Sequence, residues 1–198
     1  GDHRDLHSFP TRRSSDLLGY ELRDGGLVID DEKYETADAA VAALHGFDMS
    51  CLIVCVAGWV PTHAVIRVTD HFRHIPMLLW GLCGWVENGR IITTAEQAGT
   101  TAIRPTFEAL DYSFKYIHNT IGKPFPLEKI DAFVSACAAR QALRSARVGT
   151  MGYRDMLLYG TQFEGNSMRG KLGVEVEPFE MLEMVRNLET LDEAKVAE

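Results

Sequence analysis

Two short, continuous apolar runs constrain this chain more than any other feature. Residues 51–57 read CLIVCVA and residues 76–80 read PMLLW. Short runs rich in Val, Ile and Leu are typical of strands that are buried on both faces, as in parallel sheets. Between the runs, glycine and proline at 58–61 end the first strand, and Thr62 begins a segment with helical spacing. The order strand, helix, strand predicts a parallel pair joined by a crossover helix.

The rest of the chain continues this alternation. Helical spacing recurs at 37–47, 99–110, 127–146, 166–172 and 179–198, and strand-like segments occur at 114–117, 147–151 and 174–178. The glycine-containing stretch 81–99 is predicted to be a loop. We therefore predict an α/β fold, a Rossmann-like parallel sheet with helices on both faces, followed by the start of a second, similar α/β domain. The first domain is expected over residues 18–145 and the truncated second over 146–198, since a new strand begins at Arg147.

Composition excludes several classes of function. Apolar residues make up 46% of the chain and charged residues 24%, with a net charge of −8, as in ordinary globular proteins. An acidic chain is a poor ligand for nucleic acid or anionic membranes, and no apolar run approaches the roughly 20 residues that span a bilayer. The four cysteines are interpreted as free thiols of a cytoplasmic protein. The spacing of Cys51 and Cys55 is found in some zinc sites, but no second close Cys/His pair follows it.

The first seventeen residues differ in character from everything that follows. They read GDHRDLHSFPTRRSSDL, with no apolar periodicity and no hydrophobic core of a signal peptide. The segment matches the translation of a common sequencing-library adapter, so we expect residues 1–17 to be an artefactual leader. The gene's true start is then expected to be missing. Because Glu198 falls within a helical pattern, a truncation is expected there too.

Candidate chemistry lies after the predicted strands, because ligands of open parallel sheets bind beyond the carboxyl ends of strands. The segments in question are 58–63, 81–99 and 149–165. Trp59 offers a flat face on which a sugar could stack, or it plugs the end of the sheet. Glu96 is either catalytic or a charge that stabilises the start of a helix. Arg154 binds an anion or a sugar hydroxyl, or pairs with a neighbouring carboxylate.

Three histidines lie close together in sequence. His63, His71 and His74 would need a converging carboxylate or a third ligand to form a metal site. Surface positions on a helix are the simpler interpretation.

Several of these segments, in their order and spacing, resemble the L-fucose and L-arabinose isomerase family. LIVCVAGWVPTHAVIRVTDHFRHIPMLLWG and AEQAGTTAIRPTFEAL are similar to its first domain. ARVGTMGYRDMLLYG and MRGKLGVEVEPFEMLEMV resemble the opening of its second domain. The likeness extends over about residues 50–190. Residues 83–87 depart from the pattern of the fucose enzymes, which leaves the identity of the sugar open.

The resemblance implies that the chain is the amino-terminal part of a metal-dependent aldose–ketose isomerase. In such enzymes a divalent ion, usually Mn²⁺, binds the sugar oxygens while carboxylates move the proton. The family's metal ligands would lie beyond residue 198, so no catalytic or metal-binding residue is expected in this part. Monosaccharide contacts are expected from Trp59, Tyr153, Arg154 and Met156. A cytoplasmic homo-oligomer with sites shared between subunits is implied as well.

Two other functions compete with the isomerase. One is a non-catalytic, sugar-binding or regulatory α/β module. The other is a flavodoxin-like protein that binds a nucleotide or flavin.

Overall fold

The computed structural model describes residues 19–93, 95–152 and 154–192, so the predicted leader lies outside the described residues. Helices and strands alternate along these residues, which confirms a mixed α/β fold with parallel sheets. The elements are α1 Glu35–Leu44, β1 Leu52–Val56, α2 Thr62–Thr69, β2 Met77–Leu82, β3 Trp85–Glu87, β4 Arg90–Ile92, α3 Glu96–Ala109, β5 Phe114–Asn119, α4 Leu127–Ser145, β6 Arg147–Met151, α5 Gly165–Leu172, β7 Glu175–Phe179 and α6 Met181–Leu188. Single 3-10 turns occur at Asp70–Phe72, Asp155–Leu157 and Tyr159–Thr161.

The chain divides into two compact units between Cys137 and Ala138. This division falls inside α4, whereas the boundary predicted from sequence lies near the end of that helix, at residue 145. The extent of the two domains stays a prediction.

The first unit contains a parallel sheet with the strand order β1–β2–β5. Both apolar runs that were predicted to be parallel strands are confirmed as β1 and β2, and Val54 pairs with Leu79 in the register. The central strand β2 is buried at all of its residues, because it has a neighbour on each side and a helical layer on each face.

Apolar side chains form a separate core on each face of this sheet, because successive residues of a strand point to opposite faces. One core packs α1, α2 and α3 against Leu52, Val56 and Leu79. The other packs the Ile130, Phe133 and Val134 face of α4 against the opposite side of the sheet. Helices therefore cover both faces of the first sheet.

The stretch 81–99 is not the loop that the sequence predicted. It contains the end of β2, the antiparallel hairpin of β3 and β4, and the start of α3. The reason lies at Asn88 and Gly89, whose φ angles are 49° and 73°. Two consecutive positive φ angles are those of the tight turn that Asn-Gly favours between antiparallel strands.

Two helix boundaries and the place of one proline also differ from what the sequence predicts. Thr36, which directly precedes the helical spacing at 37–47 and is a plausible cap for that helix, lies instead in the first turn of α1, and Asp31 accepts the backbone N–H groups of Glu35 and Thr36. Pro105 lies well inside α3, although a proline in a helix is expected near its start or at a kink. Helix α6 ends at Leu188, where the Thr190 hydroxyl donates to a carbonyl oxygen of the last turn; residues 193–198 lie outside the described part.

The second unit contains a parallel pair, β6 and β7, joined through α5. Glu164 begins α5 by accepting the backbone N–H groups of Asn166 and Ser167. Gly173 ends it with a φ of 80°, at a point where a side-chain carbon would lie 2.5 Å from Arg144 Cγ. Among the helices that the structure describes, none is both long and apolar enough to cross a membrane.

Candidate functional site

The carboxyl edge of the first sheet is the place where this fold can best present side chains to a ligand. Strands β1, β2 and β5 are parallel neighbours, so their last residues, Val56, Leu82 and Asn119, lie along the same edge. Two of the three segments selected from the sequence, 58–63 and 81–99, begin there. The third, 149–165, follows β6 and belongs to the second unit.

The first turns of α3 lie close to this edge because two glycines permit a close approach. A side-chain carbon at Gly99 would lie 3.5 Å from both the Val56 side chain and the Val60 nitrogen. A side-chain carbon at Gly81 would lie 3.3 Å from the Thr100 methyl group and from the Tyr116 hydroxyl. These contacts hold the start of α3 against the ends of β1 and β2.

A third glycine shapes the exit from β2. Gly84 has a φ of +46°, and a side-chain carbon there would lie only 1.8 Å from the carbonyl oxygen of Ile92. The segment that follows β4 therefore crosses directly beside the end of β2. Gly84 also accepts a backbone hydrogen bond of 2.7 Å from Ile121, which ties this exit to the segment after β5.

This crossing brings four polar side chains together: Cys83, Thr93, Glu96 and Gln97, here called the edge cluster. Glu96 is the first residue of α3 and is fully buried. The Thr93 hydroxyl donates to the Glu96 carboxylate at 3.1 Å and accepts the Ala95 N–H at 3.0 Å.

The Cys83 thiol contacts Glu96 and Gln97 within the edge cluster. Burial raises the pKa of this thiol above its ordinary value, the nearby Glu96 carboxylate raises it further, and a hydrogen bond with the Gln97 amide opposes both. Cys83 is therefore a neutral thiol at physiological pH, and it lacks the thiolate character of a reactive nucleophile. The cluster is suited to hydrogen bonding rather than to covalent catalysis by Cys83.

The position of Glu96 bears on the two interpretations of this residue. A carboxylate in the first turn of a helix is stabilised by the helix dipole, as one interpretation requires. A carboxylate that only stabilises the start of a helix can stay at the surface, whereas Glu96 is completely buried beside a thiol and a hydroxyl. Glu96 is therefore the first residue of the edge cluster to substitute when chemistry at this edge is tested.

Trp59 lies three residues beyond the end of β1, and its side chain is 59% exposed. That exposure does not fit a side chain that plugs the end of the sheet. The space near the edge is filled instead by Trp80 of β2, which is 2% exposed, donates its indole N–H to Asn119 and packs edge-to-face on Phe125. Trp59 is left as an open aromatic surface.

The other residues selected as sugar contacts belong to the second unit. Tyr153 lies outside the described residues. The Arg154 guanidinium lies 5.0 Å from the centre of the Tyr159 ring, a cation–π distance that neither sequence interpretation included. Met156 is 79% exposed and has a φ of 47°.

Two of the three histidines make aromatic contacts within the first unit. His63 packs edge-to-face on Tyr34 with ring centres 5.5 Å apart, and His71 lies against Phe72. Within 19–93, 95–152 and 154–192, no three His, Cys, Asp or Glu side chains are arranged to hold a metal ion.

Sequence reasoning considered Glu96 but missed Cys83, Thr93 and Gln97 as its neighbours. The Asn88-Gly89 turn was the available signal, because a hairpin there returns the chain to the end of β2. Compared with protein-family models and with curated protein sequences, the chain matches none.

Proposed function

We propose that this chain is the amino-terminal part of a metal-dependent aldose–ketose isomerase of the L-fucose and L-arabinose type. In this proposal the first unit is a Rossmann-like domain that binds an open-chain monosaccharide in a cytoplasmic homo-oligomer. The observation that carries the proposal is the exposed indole of Trp59 beyond β1, at the carboxyl edge of a parallel sheet. Ligands of such sheets bind at this edge, and an exposed aromatic face can pack on the C–H face of a sugar.

The proposal assigns different tasks to different parts of the enzyme. Trp59 stacks on the sugar, and Tyr153, Arg154 and Met156 are assigned as further sugar contacts. The ligands of the metal lie after residue 198. A bound Mn²⁺ would stabilise the negative charge that develops on the sugar oxygens. The 198-residue chain is accordingly expected to bind a monosaccharide without isomerising it.

Calorimetric titration with L-fucose, L-arabinose and their ketose products tests the binding half of the proposal. Trp59→Ala is expected to weaken binding about fivefold, because a stacking contact contributes roughly 1 kcal/mol. Phe179→Ala is the matched control, since Phe179 of β7 is also a partly exposed aromatic residue, at 37%, and lies outside the three candidate segments. Equal affinities of the two variants would contradict the role of Trp59.

The gene downstream of the Glu198 codon tests the catalytic half. Two acidic residues and a histidine in the spacing of the family's metal ligands would support the isomerase. A stop codon shortly after Glu198, with sugar binding intact, would instead favour a non-catalytic sugar-binding module. Visible absorbance that copurifies with the chain would favour a flavin-binding protein over both.

A further inference from the structure

Two of the cysteines lie in contact at the end of the first sheet that is opposite the edge cluster. Cys51 directly precedes β1, and Cys137 lies on α4. Their side chains hydrogen-bond to each other, and neither is in a disulfide. Cys137 is 6% exposed, and Cys51 is partly exposed.

The strand and helix patterns explain this contact independently of the thiols themselves. Cys51, Ile53 and Cys55 alternate along one chain segment and therefore point to the same face of the sheet. Ile130, Phe133, Val134 and Cys137 follow helical spacing and form one stripe of α4. Ile53, Cys55, Phe133 and Val134 pack in the same core, so the next pair along both elements is Cys51 with Cys137.

A second contact fixes the same part of α4. The Tyr20 hydroxyl donates to the Asp131 carboxylate and lies 3.0 Å from the Ser135 hydroxyl. These positions are one helical turn apart and neighbour the stripe that carries Cys137. The Tyr20 contact therefore anchors the part of α4 that carries Cys137.

We propose that Cys51 and Cys137 form a dithiol site that closes reversibly into a disulfide when it reacts with a low-molecular-weight disulfide. The Cys51 thiolate, the more accessible of the two, attacks one sulfur of the small disulfide and releases one small thiol. The Cys137 thiolate then attacks the Cys51 sulfur of the mixed disulfide and releases the second small thiol. In total the two protein thiols lose two protons and two electrons, and the small disulfide is reduced to two thiols.

The surroundings make this site slow to react, and they favour Cys137 over Cys55 as the residue that Cys51 bonds to. Burial, followed by the neighbouring Cys137 thiol, raises the pKa of Cys51 to about 12, so little thiolate is present at neutral pH. Cys55 is partly exposed like Cys51, and its pKa is likewise raised to about 12, but desolvation alone raises it. Cys51 and Cys137 form the pair that is in contact.

The test is incubation of the native 198-residue chain with glutathione disulfide at mildly alkaline pH, followed by alkylation of the remaining thiols and peptide mapping. We expect a cross-linked peptide that joins Cys51 to Cys137 and a loss of two hydrogen atoms in the intact mass. The cross-linked protein should melt at a higher temperature than the reduced one, because closing a long loop restricts the unfolded chain.

Variants separate the proposed site from general thiol oxidation. The double variant Cys55→Ala/Cys83→Ala should retain both the cross-link and the shift in melting temperature, and Cys137→Ala should lose both. Mapping the unsubstituted chain gives the answer even if a variant folds poorly. A bond that includes Cys55 or Cys83, a persistent mixed disulfide on Cys51, or four thiols that all remain open to alkylation would overturn the proposal.

Discussion

At the residue scale, Trp59 and Trp80 show how the same amino acid takes two roles near one sheet edge. Trp80 is buried between the sheet and Phe125, and its indole N–H is bonded to Asn119. Trp59 lies mostly in solvent. Burial, rather than residue type, therefore decides which of the two can be changed without loss of the fold.

Unfolding in urea should separate these two side chains. Trp80→Ala is expected to lower the free energy of unfolding by about 3–5 kcal/mol, as for other buried tryptophans. Trp59→Ala should lower it by less than about 1 kcal/mol, because most of that side chain stays in water in the folded state. A large loss of stability in Trp59→Ala would restore the interpretation in which Trp59 plugs the sheet.

A matched glycine pair tests the crossing that builds the edge cluster. Gly84→Ala should cost more than about 2 kcal/mol, because the new methyl group meets a backbone oxygen and the positive φ is strained. Gly89→Ala has a similar φ of +73° but open space around it, so only the conformational cost of about 1 kcal/mol remains. Equal losses in the two variants, measured in denaturant, would mean that the approach to Ile92 is not the constraint.

At the scale of elements, the start of α1 depends on one carboxylate that precedes the helix. Asp31 accepts hydrogen bonds from the Thr36 hydroxyl and from the backbone N–H groups of Glu35 and Thr36. The Thr36 hydroxyl makes the largest contribution to a pKa of Asp31 below its ordinary value of 3.8. These bonds favour the ionised carboxylate, so they stabilise α1 where Asp31 is charged.

The melting temperature of Asp31→Ala should therefore depend on pH in a defined direction. A lowered pKa in the folded state contributes stability above the unfolded value of 3.8, and that contribution is lost as the pH falls through the folded value. Asp31→Ala should melt below the unsubstituted chain at neutral pH, and the gap should narrow below pH 3.8. Asp30→Ala, which changes an adjacent exposed aspartate, is the control. If the difference in melting temperature between Asp31→Ala and the unsubstituted chain did not change with pH, the carboxylate would be excluded as its cause.

At the scale of the whole molecule, the two units differ in how much of their backbone is protected. Every residue of β2 is buried and the strand is bonded on both sides, whereas β6 is mostly exposed and, among the strands that the structure describes, pairs with β7 alone. Along α6, apolar side chains at helical spacing are exposed in this structure, among them Met181 at 63% and Leu188 at 66%.

Hydrogen exchange followed by mass spectrometry should reveal this difference. Backbone amides of Met77–Leu82 should exchange at least about tenfold more slowly than those of Arg147–Met151, because opening a central strand disrupts a core on each face. Exchange of both segments at one common rate would indicate that the chain opens as a single cooperative unit instead.

The sequence by itself determined the local elements and their class. Observed elements correspond to the apolar runs at 51–57 and 76–80 and to the helical spacing at 127–146. They do so because burial and backbone preference act over a few neighbouring residues. Only the tertiary structure decided which side chains meet. The edge cluster depends on a hairpin that carries Thr93 and Glu96 back to Cys83. The dithiol site depends on which residues of β1 and α4 face each other. The dithiol site joins segments far apart in the chain, and no local pattern of apolar and polar residues encodes the distance between them.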